Sequence, residues 1–264
     1  MIGYLLGGVL SQMLEGRDAP TAARLLFLTG AGLMAATAVL GGLGPRGLFT
    51  AHAGTPTTPL LQDLSRLVRH WPIYPAFMLL LLWDFAPAGG TVLKYHLANT
   101  VHASDAQVGA FYAILWAAYF PPFLLYAWLC QRVRLSRLLW WGTLAAIPQW
   151  LPILWVHTPA QALWMALPIG LMGGFVSVAY VDLAIRSAPR GLAATMMLLV
   201  VTTTFFVSER FGDLWGVDIY EHKGGFLATV IATTLVYALM VPVLFLIPRH
   251  LSATSDGQAP GSAG

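Results

Sequence analysis

Charged residues are scarce in this sequence. Asp, Glu, Lys and Arg make up 9% of its 264 residues, whereas 58% are hydrophobic. Soluble domains carry about a quarter charged residues, so this chain could not cover its surface in water. The composition predicts an integral membrane protein. Cysteine is also nearly absent, and the single Cys130 excludes an internal disulfide framework and any multi-cysteine metal site.

Several motifs that would indicate other functions are missing. The seven histidines fall at or outside the ends of the apolar segments and show no paired spacing, so no metal site is predicted. No basic stripe with interleaved aromatics indicates nucleic-acid binding. No nucleophile elbow or phosphate-binding loop supports a hydrolase or an ATPase. We therefore expect no cofactor and no enzymatic activity. An intramembrane enzyme would need Asp84, Gln149 and a histidine within hydrogen-bond reach.

Long apolar segments make up most of the sequence. A membrane-spanning helix needs ~20 mostly apolar residues, and segments of this kind span as helices because open sheet edges cannot be satisfied in lipid. Eight candidates occur, the first of them short. They cover approximately 1–14, 25–44, 72–93, 107–130, 138–156, 160–185, 191–211 and 225–247. The predicted fold class is an all-α membrane protein, a polytopic helical bundle.

One connection divides these segments into two groups. Residues 45–71 form the longest loop, rich in Pro, Thr and Gly, and end in the amphipathic stretch LLQDLSRLVRH. This predicts two helices over 1–44, a linker over 45–71, a six-helix unit over 72–250 and a disordered tail over 251–264. Two plus six helices is an unusual architecture. We expect a truncated chain whose complete form has four further helices upstream.

The positions of Lys and Arg predict the orientation. The loops at 45–71 and 131–137, the connection near 186–190 and the C-terminal end together hold nine of the 14 basic residues. Cytoplasmic loops are enriched in Lys and Arg, so the linker and the C-terminus are predicted to be cytoplasmic. The expected location is the cell (inner) membrane.

The stretch LLLLWDFAPAGGTVLKYH, residues 79–96, contains the most conspicuous polar residue. A carboxylate in hydrocarbon costs several kcal/mol, yet Asp84 lies near the middle of the predicted third segment. Pro87 leaves the carbonyl of Trp83 without its intrahelical donor. Such a place is tolerated where it lines a water-filled cavity or is buried in protein. Asp84 is therefore a candidate for substrate binding or proton uptake. The alternative is a structural aspartate paired with a neighbouring helix.

Other polar residues in apolar segments are weaker candidates. Gln149 lies mid-segment between two prolines and predicts either a second cavity group or a helix–helix hydrogen bond. Asp182 and Arg186 are four residues apart, a spacing typical of a local salt bridge at a helix end. A cytoplasmic gate is the alternative role for this pair. Prolines occur within most segments, and Gly170-xxx-Gly174 predicts close helix packing.

Three stretches carry a resemblance to a known family. They are FAPAGGTVLKYHLANTVHASDAQVGAF, AYVDLAIRSAPRGLAATMMLL and DLWGVDIYEHKGGF, and the basic stretch YAWLCQRVRLSRLL lies between the first two. From about Leu60 to Leu251 the chain resembles the C-terminal half of a major facilitator superfamily transporter, and within it the folate–biopterin transporter branch. Two places in the sequence depart from the pattern. Ala193-Ala194 occupies the place of a glutamate, and Gln131 that of an aspartate.

The resemblance implies a major-facilitator-like C-terminal half preceded by two helices, built from inverted repeats over 72–156 and 160–247. It also implies that Asp84 and Asp182 lie on cavity-lining helices. We expect a secondary active transporter that moves a small organic solute, pterin- or folate-like, by alternating access and with a coupling proton or ion. Trp83, Tyr95 and Gln149 would contact the solute beside Asp84. The alternative is a non-transporting truncated membrane protein or partner subunit.

Overall fold

The computed structural model describes residues 7, 9–10, 13–14, 19–42, 60–189, 192–248 and 251. This part of the chain is helical and contains no strand. Two helices precede the main bundle, α1 (Ala19–Gly42) and α2 (Leu60–Arg69). Most of the predicted first segment, the linker up to residue 59 and the tail from 252 lie outside the described residues. The predicted amphipathic stretch of the linker is helix α2, which confirms that prediction.

Six rods follow α2, and most are interrupted. The first rod contains α3 (Ile73–Asp84), α4 (Gly90–Tyr95) and a π-helical turn (His96–Thr100), and the second contains α5 (Asp105–Ala117) and α6 (Phe120–Leu129). The third rod contains α7 (Leu135–Ala146) and a 3₁₀ turn (Leu151–Trp155), and the fourth is the single helix α8 (Pro159–Ser187). The fifth rod contains α9 (Ala193–Thr203), a π-helical turn (Thr204–Ser208) and α10 (Glu209–His222), and the sixth contains α11 (Gly225–Ala238) and α12 (Met240–Leu244). These rods match the six apolar segments predicted after the linker.

Three of the described helices are long and apolar enough to cross a membrane. They extend over Asp105–Leu129, Pro159–Ser187 and Gly225–Leu244. This supports the prediction of an all-α membrane protein.

Local sequence signals explain where two of the rods begin. Ser104 accepts a hydrogen bond from the backbone N–H of Gln107, and the Gln107 side chain accepts one from the Ser104 backbone. Thr158 and Gln161 form the same reciprocal capping box before α8. Each box satisfies backbone N–H groups that have no partner in the first helical turn.

Helix α8 is the centre of the bundle. It packs against α3, α5, α6 and α7, and its Tyr180 is fully buried. Gly170 and Gly174 lie against the α5–α6 junction, where a Cβ would overlap Leu115, Ala118 or Tyr119. The predicted close packing at Gly170-xxx-Gly174 is confirmed.

The largest difference from the predicted boundaries is in the fifth rod. The seventh apolar segment was expected to end at 211, but the helix continues to His222. The extension is rich in charged residues, so hydropathy alone ends it too early. It remains helical and attached because Gly212 and Gly216 are buried against the first rod.

Candidate functional site

The first rod is split at its middle. Helix α3 ends at Asp84, and α4 begins at Gly90, which has a φ of 49°. Pro87 cannot donate to a helical carbonyl, and a glycine adopts positive φ without steric cost. The 12 residues of α3 span ~18 Å. In a ~30 Å hydrocarbon core, a helix that begins near one face therefore ends at mid-depth.

Side chains of a neighbouring helix form hydrogen bonds with the backbone groups at this break. The hydroxyl of Tyr237 donates to the carbonyl oxygen of Trp83 at 3.1 Å, which is the carbonyl that Pro87 deprives of its donor. The backbone N–H of Ala88 donates to the hydroxyl of Thr233 at 2.8 Å. Both partners come from α11. An irregular backbone at membrane depth is stable only when it is buried in protein or lines a cavity. Here α11 buries it.

The fifth rod holds the break from the other side. The hydroxyl of Ser208 donates to the carbonyl of Leu81 at 2.5 Å. Asp213 caps the start of α4, because its two carboxylate oxygens accept from the backbone N–H and the hydroxyl of Thr91, each at 2.7 Å. A carboxylate at this position also favours the positive end of the helix dipole.

Two glycines of α10 allow this close approach. A Cβ on Gly212 would lie 3.1 Å from the backbone nitrogen of Ala86, and one on Gly216 would collide with the carbonyl of Pro87. Gly90 is restricted as well, since its Cβ would lie 2.5 Å from Oδ1 of Asp213. The break and α10 therefore pack backbone against backbone.

A cavity of about 230 Å³ opens beside the break. Its lining combines carboxylates, an ammonium, one amide and several aromatic rings. The residues that carry these groups are Trp83, Asp84, Lys94, Tyr112, Trp116, Tyr119, Gln149, Trp150, Glu209, Asp213 and Tyr237. The first, second, third, fifth and sixth rods all contribute. The cavity thus lies inside the bundle at the depth of the break.

Asp84 lies at the C-terminal end of α3 and is partly buried. The negative end of the helix dipole disfavours a carboxylate there, and Glu209 is a second carboxylate close to it. The hydroxyl of Thr204 is its polar neighbour. A cation or a proton at this position would relieve the repulsion, so the arrangement suits binding of either one.

Gln149 presents an acceptor without a donor. The side chain is 2% exposed, and its Nε2 donates to the carbonyl of Ile169 at 2.9 Å. Its Oε1 is the buried side-chain atom of the described residues that lacks a hydrogen-bond partner. Burying a polar atom unsatisfied costs about 1–3 kcal/mol, and this atom belongs to a residue that lines the cavity. A solute bearing an N–H or O–H group, or a water molecule, would satisfy it.

The predicted aromatic residues have different places. Trp83 is 8% exposed and stacks on Tyr237, with ring centroids 5.1 Å apart, so one edge of its ring borders the cavity while most of it packs in the core. Tyr95 is 54% exposed and lies outside the cavity lining. The structure therefore brings Trp83, Asp84 and Gln149 together and leaves Tyr95 apart from them.

Asp182 and Arg186 form the predicted i, i+4 ion pair in α8. Nε of Arg186 donates to Oδ1 of Asp182 at 2.9 Å, and both side chains are about one-fifth exposed. The hydroxyl of Tyr126 donates to the other carboxylate oxygen at 2.5 Å. Asp182 thereby links α6 to α8 at the end of the bundle predicted to be cytoplasmic. A gating role stays a prediction.

Sequence reasoning missed part of the lining. It assigned no cavity role to Lys94, Glu209 or Asp213, but all three line the cavity. The small-residue pattern Gly212-xxx-Gly216, which flanks Asp213, was the signal that could have predicted this packing. Tyr112 and Tyr119 offered no signal, because aromatic residues are frequent in every segment.

Among the described residues, no group of three or more His, Cys, Asp and Glu side chains is arranged to hold a metal ion. At the end of α10 far from the cavity, the hydrogen bond from Lys223 lowers the pKa of the exposed Asp218.

Comparisons with protein families, curated proteins and solved structures find no match to this chain. The function is therefore argued from the geometry of the cavity.

Proposed function

We propose that the protein is a secondary active membrane transporter that moves a small organic solute by alternating access. The observation that carries the proposal is the split first rod, which leaves Asp84 at the border of a cavity lined by aromatic rings and a few polar groups. Ionisable residues within membrane segments mark substrate and ion pathways, and discontinuous helices form the midplane sites of many transporters.

The lining favours a small, flat solute that carries hydrogen-bond donors. The carboxylates of Asp84 and Glu209 and the Oε1 of Gln149 accept hydrogen bonds, and aromatic rings surround them. The volume of about 230 Å³ is below the ~300–1,000 Å³ of drug-sized pockets. A pterin-like ring, with its amino and amide N–H groups, has this chemistry. A proton or cation on Asp84 would serve as the coupling ion.

The resemblance to the major facilitator superfamily supplies the remaining part of the proposal. The protein would be multi-pass, with a cytoplasmic C-terminus in the cell membrane and a six-helix half over 72–250. Substrate would bind between the helix groups, with the cluster of Asp182, Arg186 and Tyr126 acting as a cytoplasmic latch.

One observation favours a different role. Nearly all α1 residues whose burial is described are exposed, including Phe27 at 80% and Met34 at 78%. Such an apolar surface requires lipid or partner helices. A non-transporting membrane subunit, with α1 packed on a partner, is therefore the second candidate.

Uptake into membrane vesicles distinguishes the two candidates. Biopterin, folate and phenylethylamine are the probes, measured with the wild-type protein and with Asp84→Asn. The transporter proposal predicts saturable uptake of at least one probe and its loss in Asp84→Asn, with Tyr95→Phe as a matched control that transports normally. Undiminished uptake in Asp84→Asn would refute the role of Asp84. No uptake of any probe by the wild type would favour the partner subunit.

A further inference from the structure

A second pocket, separate from the central cavity, lies where the chain enters the bundle. Arg66, Arg69 and His70 line it from the end of α2, and Pro189 and Leu192 line it from the connection between α8 and α9. Its volume is about 380 Å³, and it opens to the surface. The described lining thus combines basic side chains on one wall with apolar residues on the other.

An apolar residue attaches helix α2 to the bundle. Leu67 is fully buried and belongs to the main core, whereas Arg66 and Arg69 are exposed. These two arginines are three residues apart and therefore lie on the same face of the helix. The packing of Leu67 holds this basic face in place at the edge of the bundle.

The two guanidinium groups have no counter-ion among the described side chains. The described ion pairs are formed by Asp182 with Arg186 and by Asp218 with Lys223 and His222. None of the described carboxylates pairs with Arg66 or Arg69. Two guanidinium groups without a described counter-ion suit an anionic ligand.

Aromatic residues next to the pocket favour a position at the depth of lipid headgroups. Trp71 is 65% exposed, and its ring lies 5.6 Å from that of Tyr74. The hydroxyl of Tyr74 donates to the carbonyl of Val68 at 2.5 Å. Exposed Trp and Tyr side chains of this kind are enriched at the membrane–water interface. The same residues join α2 to the start of α3, which favours a position of α2 and its arginines at that interface.

We propose that this pocket binds the phosphate group of an anionic phospholipid headgroup. The planar guanidinium fork matches phosphate oxygens with two hydrogen bonds, and basic pockets between membrane helices recognise lipid headgroups. Pro189 and Leu192 provide the apolar wall for the glycerol region of the lipid. Inorganic phosphate has the same charged group but lacks the apolar glycerol region. Comparing the binding of the two therefore distinguishes a lipid headgroup from free phosphate.

The test measures binding to the purified full-length protein in a neutral detergent. Native mass spectrometry is used to titrate short-chain phosphatidylglycerol, short-chain phosphatidylcholine and inorganic phosphate. The proposal predicts saturable binding of phosphatidylglycerol that is stronger than binding of either other probe. The Arg66→Gln/Arg69→Gln variant is expected to bind it roughly 30-fold more weakly, because each basic residue near the surface contributes about a factor of five.

A charge-matched control separates a built site from diffuse attraction. Arg134→Gln/Arg137→Gln removes two exposed charges from the predicted cytoplasmic loop at 131–137 and is expected to change the affinity less than about twofold. Arg66→Lys/Arg69→Lys keeps the charge without the fork and should bind with intermediate affinity. Equal weakening in the control, equal binding of phosphatidylcholine, or inorganic phosphate binding as tightly as phosphatidylglycerol would each overturn the proposal.

Discussion

Helix α8 runs through Pro168 without interruption, whereas the first rod is split next to Pro87. Both cross the bundle, and both contain a proline near their middle. The difference lies in what surrounds each proline. Beyond Pro87, Gly90 adopts positive φ, and hydroxyls of neighbouring helices satisfy the backbone groups that the break leaves without helical partners. Pro168 is followed instead by Gly170 and Gly174, which pack a continuous helix against α5 and α6.

The comparison teaches that proline permits a break in a membrane helix but does not by itself cause one. In lipid, each unsatisfied backbone group costs several kcal/mol. The helix therefore opens where donors and acceptors of other helices are available, as at Trp83 and Ala88. The cavity and Asp84 lie beside that opening, between the end of α3 and the start of α4.

The largest effect is expected from filling the space between α10 and the break. Gly216→Ala places a Cβ against the carbonyl of Pro87, so it should lower the free energy of unfolding by about 1–3 kcal/mol. Gly170→Ala should be similarly destabilising in the region of α8, since its Cβ meets the backbone of Leu115. Of these two variants, only Gly216→Ala should alter solute binding. Unfolding in mixed detergent micelles measures the stabilities.

Gly142→Ala is the matched control for these glycine variants. Its Cβ would lie 3.5 Å from Cα of Val176, an ordinary contact, so we expect little loss of stability. If Gly142→Ala and Gly216→Ala were equally destabilising, close backbone packing at the break would not be the cause.

A smaller effect is expected from removing the cap of α4. Asp213→Ala deletes both hydrogen bonds to Thr91 and should cost about 0.5–2 kcal/mol of stability, the range for loss of an N-cap. Asp218→Ala, in the same helix but exposed, is the control and should change stability little. Hydrogen exchange of the amides of α4 provides the measurement. Exchange that rises equally in both variants would contradict the capping role.

The smallest effect is expected at Tyr237. Tyr237→Phe keeps the ring that stacks on Trp83 but leaves the Trp83 carbonyl without its donor, which should cost about 0.5–1.5 kcal/mol. Tyr95→Phe removes a hydroxyl from an exposed side chain and should be neutral. Thermal unfolding of the two variants side by side measures the difference. Equal stability would show that the hydroxyl of Tyr237 does not support the break.

Several features of the fold could be predicted from residue patterns. The scarcity of charge indicated the class, the apolar segments indicated the six rods, and Pro87 indicated that the Trp83 carbonyl loses its donor. Pro121, Pro148 and Pro242 also lie at or beside interruptions of their rods. Pro168 shows the limit of this reasoning, because the partners that decide between a kink and a break lie on other helices.

The site was predictable in part. Asp84 and Gln149 stood out because each is polar within an apolar segment, and both line the cavity. Glu209 and Asp213 did not stand out, since Glu209 lies at the end of an apolar segment and Asp213 lies just beyond it. Their positions depend on the packing of Gly212 and Gly216 against the break, a contact between residues more than a hundred positions apart that no local pattern contains.

The central claim is that a water-accessible cavity lies at the split first rod, and measuring water access to the break tests it most directly. Cys130→Ser removes the only cysteine, and Ala86→Cys or Leu171→Cys then introduces a thiol at the cavity or on the exposed face of α8. Charged methanethiosulfonate reagents react with hydrated thiolates, so labelling reports water. The account predicts rapid labelling at position 86 and very slow labelling at position 171 in lipid nanodiscs. Equal rates, or a protected thiol at position 86, would contradict a water-accessible cavity at the split helix.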